Sequence, residues 1–270
     1  MKDLTLTLVQ PQLHWEDKDA NLHMLQQQLR SIPTPTNVVV LPELFSTGFS
    51  MAPERLAEPM DGPTIAWMRQ MAAEQRVILT GSVIIADTDA ATGAVHYYNR
   101  LIWMLPNGQC GTYDKRHRFA YAGEDEHYTA GNKRLIAAVN GWRLNLQVCY
   151  DLRFPVWARQ ARATAPEYDV LVYVANWPER RSHAWRTLLQ ARAIENQCYV
   201  VGVNRVGADG NGIAHSGNSM VVDPLGEILY EAVDTAAVHT LTLSSAHLQA
   251  VRHQLPFLRD GDAFTIHENE

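Results

Sequence analysis

The stretch Q-V-C-Y-D-L-R-F-P, from Gln147 to Pro155, joins an apolar run to a charged turn and places Cys149 at the junction. Residues 143–148 are typical of a buried strand, and Pro155 suits the first turn of a helix. The stretch therefore predicts a strand that leads into a helix through a short turn. The same alternation of strand and helix recurs along the chain.

The alternation predicts a fold in which large mixed sheets are covered by helices. Amphipathic patterns predict helices around residues 22–32, after Pro63, and from Ser182 to about Cys198. Asn107-Gly108 and Asn140-Gly141 predict hairpin turns. A short strand is expected after the first turn, and the longer predicted strands are 4–10, 38–41, 77–86, 97–105, 143–148, 170–175, 199–206, 219–223 and 238–243.

Composition indicates one globular domain over residues 1–270. The chain has 270 residues, of which 46% are hydrophobic and 19% charged, enough for a sizeable core. No repeat or low-complexity linker divides it. The formal net charge is −6 and no Lys/Arg-rich block is present, which argues against nucleic-acid and membrane partners and favours a small metabolite.

The ends and the cysteines bear on location and cofactors. The N-terminus resembles a strand more than a signal peptide, and no apolar stretch reaches the roughly 18 residues of a membrane span. The three cysteines are far apart, which suits a reducing compartment, and we expect a cytoplasmic protein. The chain lacks H-E-x-x-H and a G-x-G-x-x-G after the first strand, so we expect neither a metal nor another cofactor.

Reactive side chains follow three of the apolar strands. Glu43 comes just after residues 38–41, Lys115 follows the short strand beyond Asn107-Gly108, and Cys149 follows residues 143–148. Desolvation would suit Glu43 to the work of a general base, and backbone N–H groups at the turn would favour a Cys149 thiolate. Structural alternatives remain open for each: a cap or arginine pair for Glu43, a solvated charge for Lys115, an inert core thiol for Cys149.

Together these residues resemble the nitrilase superfamily of carbon-nitrogen hydrolases, which uses a glutamate, a lysine and a cysteine in this order. The matching motifs are L-P-E-L-F at 41–45, Y-D-K-R-H at 113–117 and C-Y-D-L-R-F-P at 149–155. The resemblance continues through residues 191–197, 215–219 and 223–226, and its best match is the omega-amidase branch in its bacterial form. It thus covers essentially the whole chain.

The resemblance implies a four-layer α-β-β-α sandwich, a homodimer and a thioester mechanism. Glu43, Lys115 and Cys149 would be catalytic, and the substrate would be 2-oxoglutaramate, hydrolysed to 2-oxoglutarate and ammonia. A second glutamate is implied after the lysine. We choose Glu124, with Glu126 as the alternative.

A five-carbon amide with a distal carboxylate needs a cationic pocket. We expect Arg180 or Arg181 to bind the carboxylate, with Arg116 and Arg118 as neighbouring candidates. Phe45, Tyr150 and Trp177 would form an aromatic wall. Asp151 and Arg153 are expected to pair with each other and fix the turn. Asn176 and Glu195 are predicted to be structural.

Other functions fit the same residues less well. Another amidase, a nitrilase or an N-carbamoyl hydrolase would share the thioester chemistry. A Cys-His-Asp hydrolase would need a histidine at a strand end, and His117 is the nearest to a motif. A catalytically silent binding protein is the non-enzymatic alternative.

Overall fold

The computed structural model describes residues 1–33, 35–160 and 166–266. Within them, the strands are β1 Leu4–Gln10, β2 Val38–Val40, β3 Ile78–Thr88, β4 Val95–Met104, β5 Cys110–Asp114, β6 Leu135–Val139, β7 Trp142–Val148, β8 Val170–Val174, β9 Tyr199–Val203, β10 Val206–Ala208, β11 Ala214–Val222, β12 Ile228–Val233 and β13 Ala237–Leu243. The helices are α1 Lys18–Arg30, α2 Pro53–Leu56, α3 Pro63–Gln75, α4 Glu124–His127, α5 Pro155–Ala158, α6 Ser182–Asn196 and α7 Ser245–Gln254.

The strands form two mixed sheets with the same plan. The first has the order β13-β1-β2-β3-β4-β5, and the second β10-β11-β9-β8-β7-β6, with β12 also paired to β11. Strands β1 to β3 are parallel at the centre of the first sheet, and β7 to β9 at the centre of the second. The antiparallel strands flank these centres. Loops that follow neighbouring parallel strands therefore start at one edge of each sheet.

Alternation of side chains along β2 shows how the layers stack. Val38 and Val40 belong to the core between the sheets, whereas Val39 belongs to a second core with Leu25 of α1 and Met68 of α3. On the other sheet, α6 packs so closely that a Cβ at Gly202 would lie 2.6 Å from Leu189. Helices thus cover the outer face of each sheet, and the predicted four-layer sandwich is confirmed.

Most predicted elements are present, and the differences have local causes. The predicted strand 199–206 is split because the Asn204 backbone N–H donates to the Ser219 hydroxyl oxygen at 2.9 Å and not to a strand carbonyl. Helix α6 ends at Asn196, since Gln197 adopts a left-handed φ of 44°. Strands β6 and β12 and helix α7 were not predicted; both strands are short and contain exposed positions.

The described helices include none long and apolar enough to cross a bilayer. Helix α6, the longest of them, has 15 residues and carries charged and polar side chains throughout.

A substitution at Gly81 on β3 tests how closely this strand packs against the segment that contains Glu43. A Cβ there would lie 2.8 Å from both Leu41 Cβ and Phe45 Cδ1. We expect Gly81→Ala to lower the free energy of unfolding by about 1–3 kcal/mol, because the ring and the strand must move apart. Gly111→Ala is the matched control: it lies on β5 of the same sheet, and its nearest contact would be an ordinary 3.4 Å. Urea unfolding measures both, and equal stabilities would contradict the packing argument.

Candidate active site

The ends of β2, β5 and β7 bring Glu43, Lys115 and Cys149 to one place between the sheets. Lys115 and Cys149 directly follow their strands, and Glu43 comes after the Leu41-Pro42 step. The Lys115 Nζ atom lies 2.8 Å from Glu43 Oε1. All three side chains are buried. One buried ion pair thus joins the glutamate and lysine segments, which are distant in sequence, and the charges of both side chains act on the Cys149 thiol.

Glu124 on α4 is the second acid on the lysine. Lys115 Nζ lies 2.9 Å from each of its carboxylate oxygens, and Glu124 is completely buried, whereas Glu126 is exposed. The loop returns to the lysine because Gly131 N donates to Lys115 O at 3.0 Å. A Cβ at Gly131 would lie 2.1 Å from Asp114 O, so only glycine allows this approach. Of the two candidates, Glu124 is the acid that meets the lysine.

Backbone and amide groups orient the Glu43 carboxylate. Asn99 Nδ2 donates to Oε1 at 2.8 Å, and the Asn176 backbone N–H donates to Oε2 at 2.8 Å. Asn99 also reaches Glu124 Oε1 at 3.4 Å. Asn176, predicted to be structural, thus positions the carboxylate. Asn99 was not predicted; its only signal was a short amide in the middle of a strand, directly before Arg100.

Cys149 occupies a strained turn that Asp151 stabilises. Its φ is 45°, in the left-handed region that non-glycine residues rarely adopt, and a 3₁₀ turn covers residues 149–153. Asp151 accepts hydrogen bonds from Tyr113 Oη at 2.7 Å and from the Val148 backbone N–H at 3.0 Å. It also accepts from the His117 backbone N–H at 3.0 Å. One buried acid therefore ties the cysteine turn to the lysine loop.

The predicted ion pair between Asp151 and Arg153 is wrong. The Asp151 carboxylate is occupied by the donors from Tyr113, His117 and Val148. Arg153 turns the other way, and its guanidinium carbon lies 5.0 Å from the centre of the Trp177 ring. The guanidinium therefore stays available to another partner.

Burial and charge set the protonation of the lysine and the thiol. Burial disfavours the Lys115 cation, but the Glu124 and Glu43 carboxylates outweigh it and raise its pKa well above the ordinary value. Burial also raises the pKa of Cys149 well above the ordinary thiol value, and Glu43 adds to this increase. The Lys115 charge lowers the pKa but does not outweigh the other two effects. Burial raises the pKa of Glu124. The surroundings of Cys149 therefore favour the thiol, contrary to the expectation that the turn favours the thiolate.

Cys149 lines a pocket of about 240 Å³. Of the residues predicted to bind substrate, Tyr150, Trp177, Arg180 and Arg181 line this pocket. The other lining residues are Phe49, Phe119, Tyr121, Ala122, Arg153, Asn176, Pro178, Asp209, Ile213 and His215.

Phe45 is not part of the pocket wall. Its ring is completely buried against Gly81 and lies 5.9 Å from the Trp67 ring, in the core under α3. The left-handed Leu44, with φ of 43°, changes the direction of the chain between Glu43 and Phe45. Phe49 lines the pocket instead, and its ring centre lies 5.1 Å from Lys115 Nζ.

The arginines beside the lysine motif lie outside the pocket. Arg116 stacks on Trp157 at 4.5 Å, and Arg118 donates to the Tyr128 carbonyl oxygen at 3.0 Å. Arg153 lines the pocket in their place. Arg153 comes four residues after the cysteine, but it was predicted to pair with the nearby Asp151 and was therefore not considered as a pocket residue.

Comparison with known proteins shows which family the chain belongs to. Residues 5–253 match the family model for carbon-nitrogen hydrolases. The chain belongs to the carbon-nitrogen hydrolase family. It is 45% identical to omega-amidase YafV of Yersinia enterocolitica over 267 residues, which is 98% of this chain and 100% of that protein. It is 43% identical to omega-amidase YafV of Escherichia coli K12 over 271 residues, with the same shares covered.

A solved structure shows the same architecture. XC1258 from Xanthomonas campestris is described as a CN-hydrolase superfamily protein with an arsenic adduct in its active site. It matches this carbon-nitrogen hydrolase with a TM-score of 0.94 and 43% identity, covering 99% of this chain and 100% of that one. Membership in the nitrilase superfamily is thus confirmed. The protein is a hydrolase that acts on the carbon-nitrogen bonds of amides.

The raised pKa of Cys149 predicts a protonated resting thiol. We expect no thiolate ultraviolet absorbance from Cys149 below about pH 8.5, the ordinary thiol pKa, because burial and Glu43 both disfavour the anion. The measurement is a pH titration of the difference between the wild type and Cys149→Ser, which removes the contributions of Cys110 and Cys198. A Cys149 thiolate already present at neutral pH would contradict the prediction.

Proposed function

We propose that this amidase is an omega-amidase that hydrolyses the terminal amide of 2-oxoglutaramate through a thioester on Cys149. The observation that carries the proposal is the buried contact of Lys115 with Glu43 and Glu124, with Cys149 close enough for their charges to act on it. A thiol, a base and a fixed cation are the groups that amide hydrolysis needs. The omega-amidase relatives support the substrate class.

In the first half of the reaction, Glu43 takes the thiol proton while sulfur attacks the amide carbon. The raised pKa of Cys149 suits transfer during attack, since no thiolate forms beforehand. The Lys115 ammonium and the Tyr150 backbone N–H hold the oxyanion. Glu43 then gives its proton to the leaving nitrogen, and the carbon-nitrogen bond breaks. Ammonia is released, and a thioester remains on Cys149.

In the second half, Glu43 accepts a proton from water, and the hydroxyl oxygen attacks the thioester carbon. The same two donors hold the second oxyanion. The carbon-sulfur bond breaks, the proton passes from Glu43 to the sulfur, and the carboxylic acid is released. The enzyme returns to its thiol and carboxylate form.

Glu124 has a positioning role in this scheme. Lys115 is too buried to remain charged alone, and two carboxylates within 2.9 Å keep it protonated and in place. Glu43 must also move protons, so Glu124 is the constant partner of the cation. His117, the histidine of the competing Cys-His-Asp scheme, is bonded through Nδ1 to Asp151 at 2.8 Å, whereas Glu43 acts directly on the thiol.

The nucleophile and the base can be tested by ammonia release from 2-oxoglutaramate. We expect Cys149→Ala and Glu43→Gln each to lower kcat by more than about 1,000-fold, because each removes a group that bonds or moves a proton in the reaction. Cys110→Ala is the control, since Cys110 is exposed and far from the pocket lining. Activity retained by Cys149→Ala would overturn the thioester proposal. A panel with nitriles and N-carbamoyl compounds tests the alternative substrates.

Glu124→Gln and Glu126→Gln form a matched pair on the same short helix. We expect Glu124→Gln to lower kcat by about 10- to 100-fold, because Lys115 loses one of its two carboxylates and the oxyanion donor is less fixed. Glu126→Gln should leave kcat unchanged, since its side chain is exposed. Steady-state kinetics measure both. Equal effects of the two substitutions would argue against a role for Glu124.

A further inference from the structure

The pocket beside Cys149 contains more positive charge than its own acids neutralise. Arg153, Arg180 and Arg181 all line it. Within the part of the chain that the structure describes, none of the three has a carboxylate oxygen within 4.0 Å. By contrast, Arg100 at the end of the first sheet contacts both Asp87 and Asp114. Unpaired guanidinium groups facing a pocket are suited to a ligand carboxylate.

The other charges at the site do not serve this purpose. Lys115 is held by Glu43 and Glu124, so its ammonium is not available to a second anion. Asp209 is the one acid in the pocket lining, and its Oδ1 accepts from the backbone N–H groups of Asn211 and Ile213. The lysine cation is therefore already neutralised by its acids, whereas the arginines of the pocket are not.

Two of the three arginines are held by aromatic rings. The Arg153 guanidinium carbon lies 5.0 Å from the centre of the Trp177 ring, and that of Arg181 lies 5.1 Å from the centre of the Phe119 ring. Trp177 is itself fixed, because its indole N–H donates to the Arg181 carbonyl oxygen at 2.8 Å. Stacking holds a guanidinium plane while leaving its N–H edge free to bind a carboxylate.

Arg180 differs from this pair. It is exposed, and it also lines a more open cleft with Glu179, Ser182 and Ile213. Arg153 and Arg181 are both partly buried. After burial, the charges of Arg180 and Arg153 are the main influences that lower the pKa of Arg181, so both cations lie close enough to Arg181 to repel its charge. A bound carboxylate would relieve that repulsion.

We propose that Arg153 and Arg181 together bind the carboxylate at the far end of the substrate from its amide, and that Arg180 is not part of this clamp. The inference rests on the proposed amidase function and specifies its substrate class: linear ω-amides that carry an anionic end. Arg153 lies in the turn of Cys149, and Arg181 follows the strand next to it, so one extended molecule spans the thiol and both guanidinium groups.

The test compares 2-oxoglutaramate with pentanamide, a neutral amide of the same carbon number. For Arg153→Ala and Arg181→Ala, we expect kcat/KM for 2-oxoglutaramate to fall about 10- to 100-fold, mainly through KM, because charge-assisted hydrogen bonds are lost. The value for pentanamide should change less than about threefold. Arg116→Ala, which lies outside the pocket, is the control and should match the wild type on both substrates, whereas Arg180→Ala should change kcat/KM for 2-oxoglutaramate by less than about threefold.

Two further measurements separate binding from folding. Arg153→Lys and Arg181→Lys keep the charge but lose the planar fork, and we expect intermediate losses on the anionic substrate. Glutarate should slow alkylation of Cys149 by iodoacetamide in the wild type and in Arg180→Ala, but much less in Arg153→Ala or Arg181→Ala. Thermal unfolding of each variant confirms that it is folded.

The outcomes distinguish the two proposals. Equal losses on 2-oxoglutaramate and pentanamide, or a loss in Arg180→Ala as large as in the pair, would overturn the clamp and leave the amidase proposal intact. A wild type that releases ammonia from no ω-amide would overturn both.

Discussion

The buried ammonium of Lys115 is the group on which the site depends. Removing a charge from water costs several kcal/mol, and only close opposite charges offset that cost in a protein interior. Glu43 and Glu124 supply them at 2.8 and 2.9 Å. The three residues come from different parts of the chain, so the ion cluster forms only when the first sheet and the loop after β5 are both in place.

The cluster also determines how the sulfur is used. Two acids surround one cation, and burial together with Glu43 raises the pKa of the neighbouring Cys149 thiol, which favours its protonated form. In the proposed mechanism, attack and proton transfer then belong to one step, with Glu43 as the acceptor. A resting thiol is also less exposed to unwanted alkylation and oxidation than a preformed thiolate, because the thiolate is the reactive form.

A second buried acid connects the two sheets at the same point. Asp151 accepts hydrogen bonds from the Tyr113 hydroxyl on β5 and from backbone N–H groups on both the lysine and cysteine segments. It therefore keeps the strained turn of Cys149 aligned with Lys115. Because Asp151 is occupied in this way, Arg153 is left to the pocket. The hydrogen bonds of Asp151 thus have two effects: they position the Cys149 turn beside Lys115, and they leave the Arg153 charge available to a ligand in the pocket.

Local patterns in the sequence were sufficient for most of the strands, for the hairpin turns and for the positions of Glu43, Lys115 and Cys149 after strand ends. Those features depend on neighbouring residues, and the motifs at 41–45, 113–117 and 149–155 are local too. Only the tertiary structure decided that Glu124 meets Lys115, that Phe49 replaces Phe45 at the pocket, and that Asp151 leaves Arg153 unpaired. These outcomes depend on contacts between residues far apart in the chain, whose geometry no local pattern encodes.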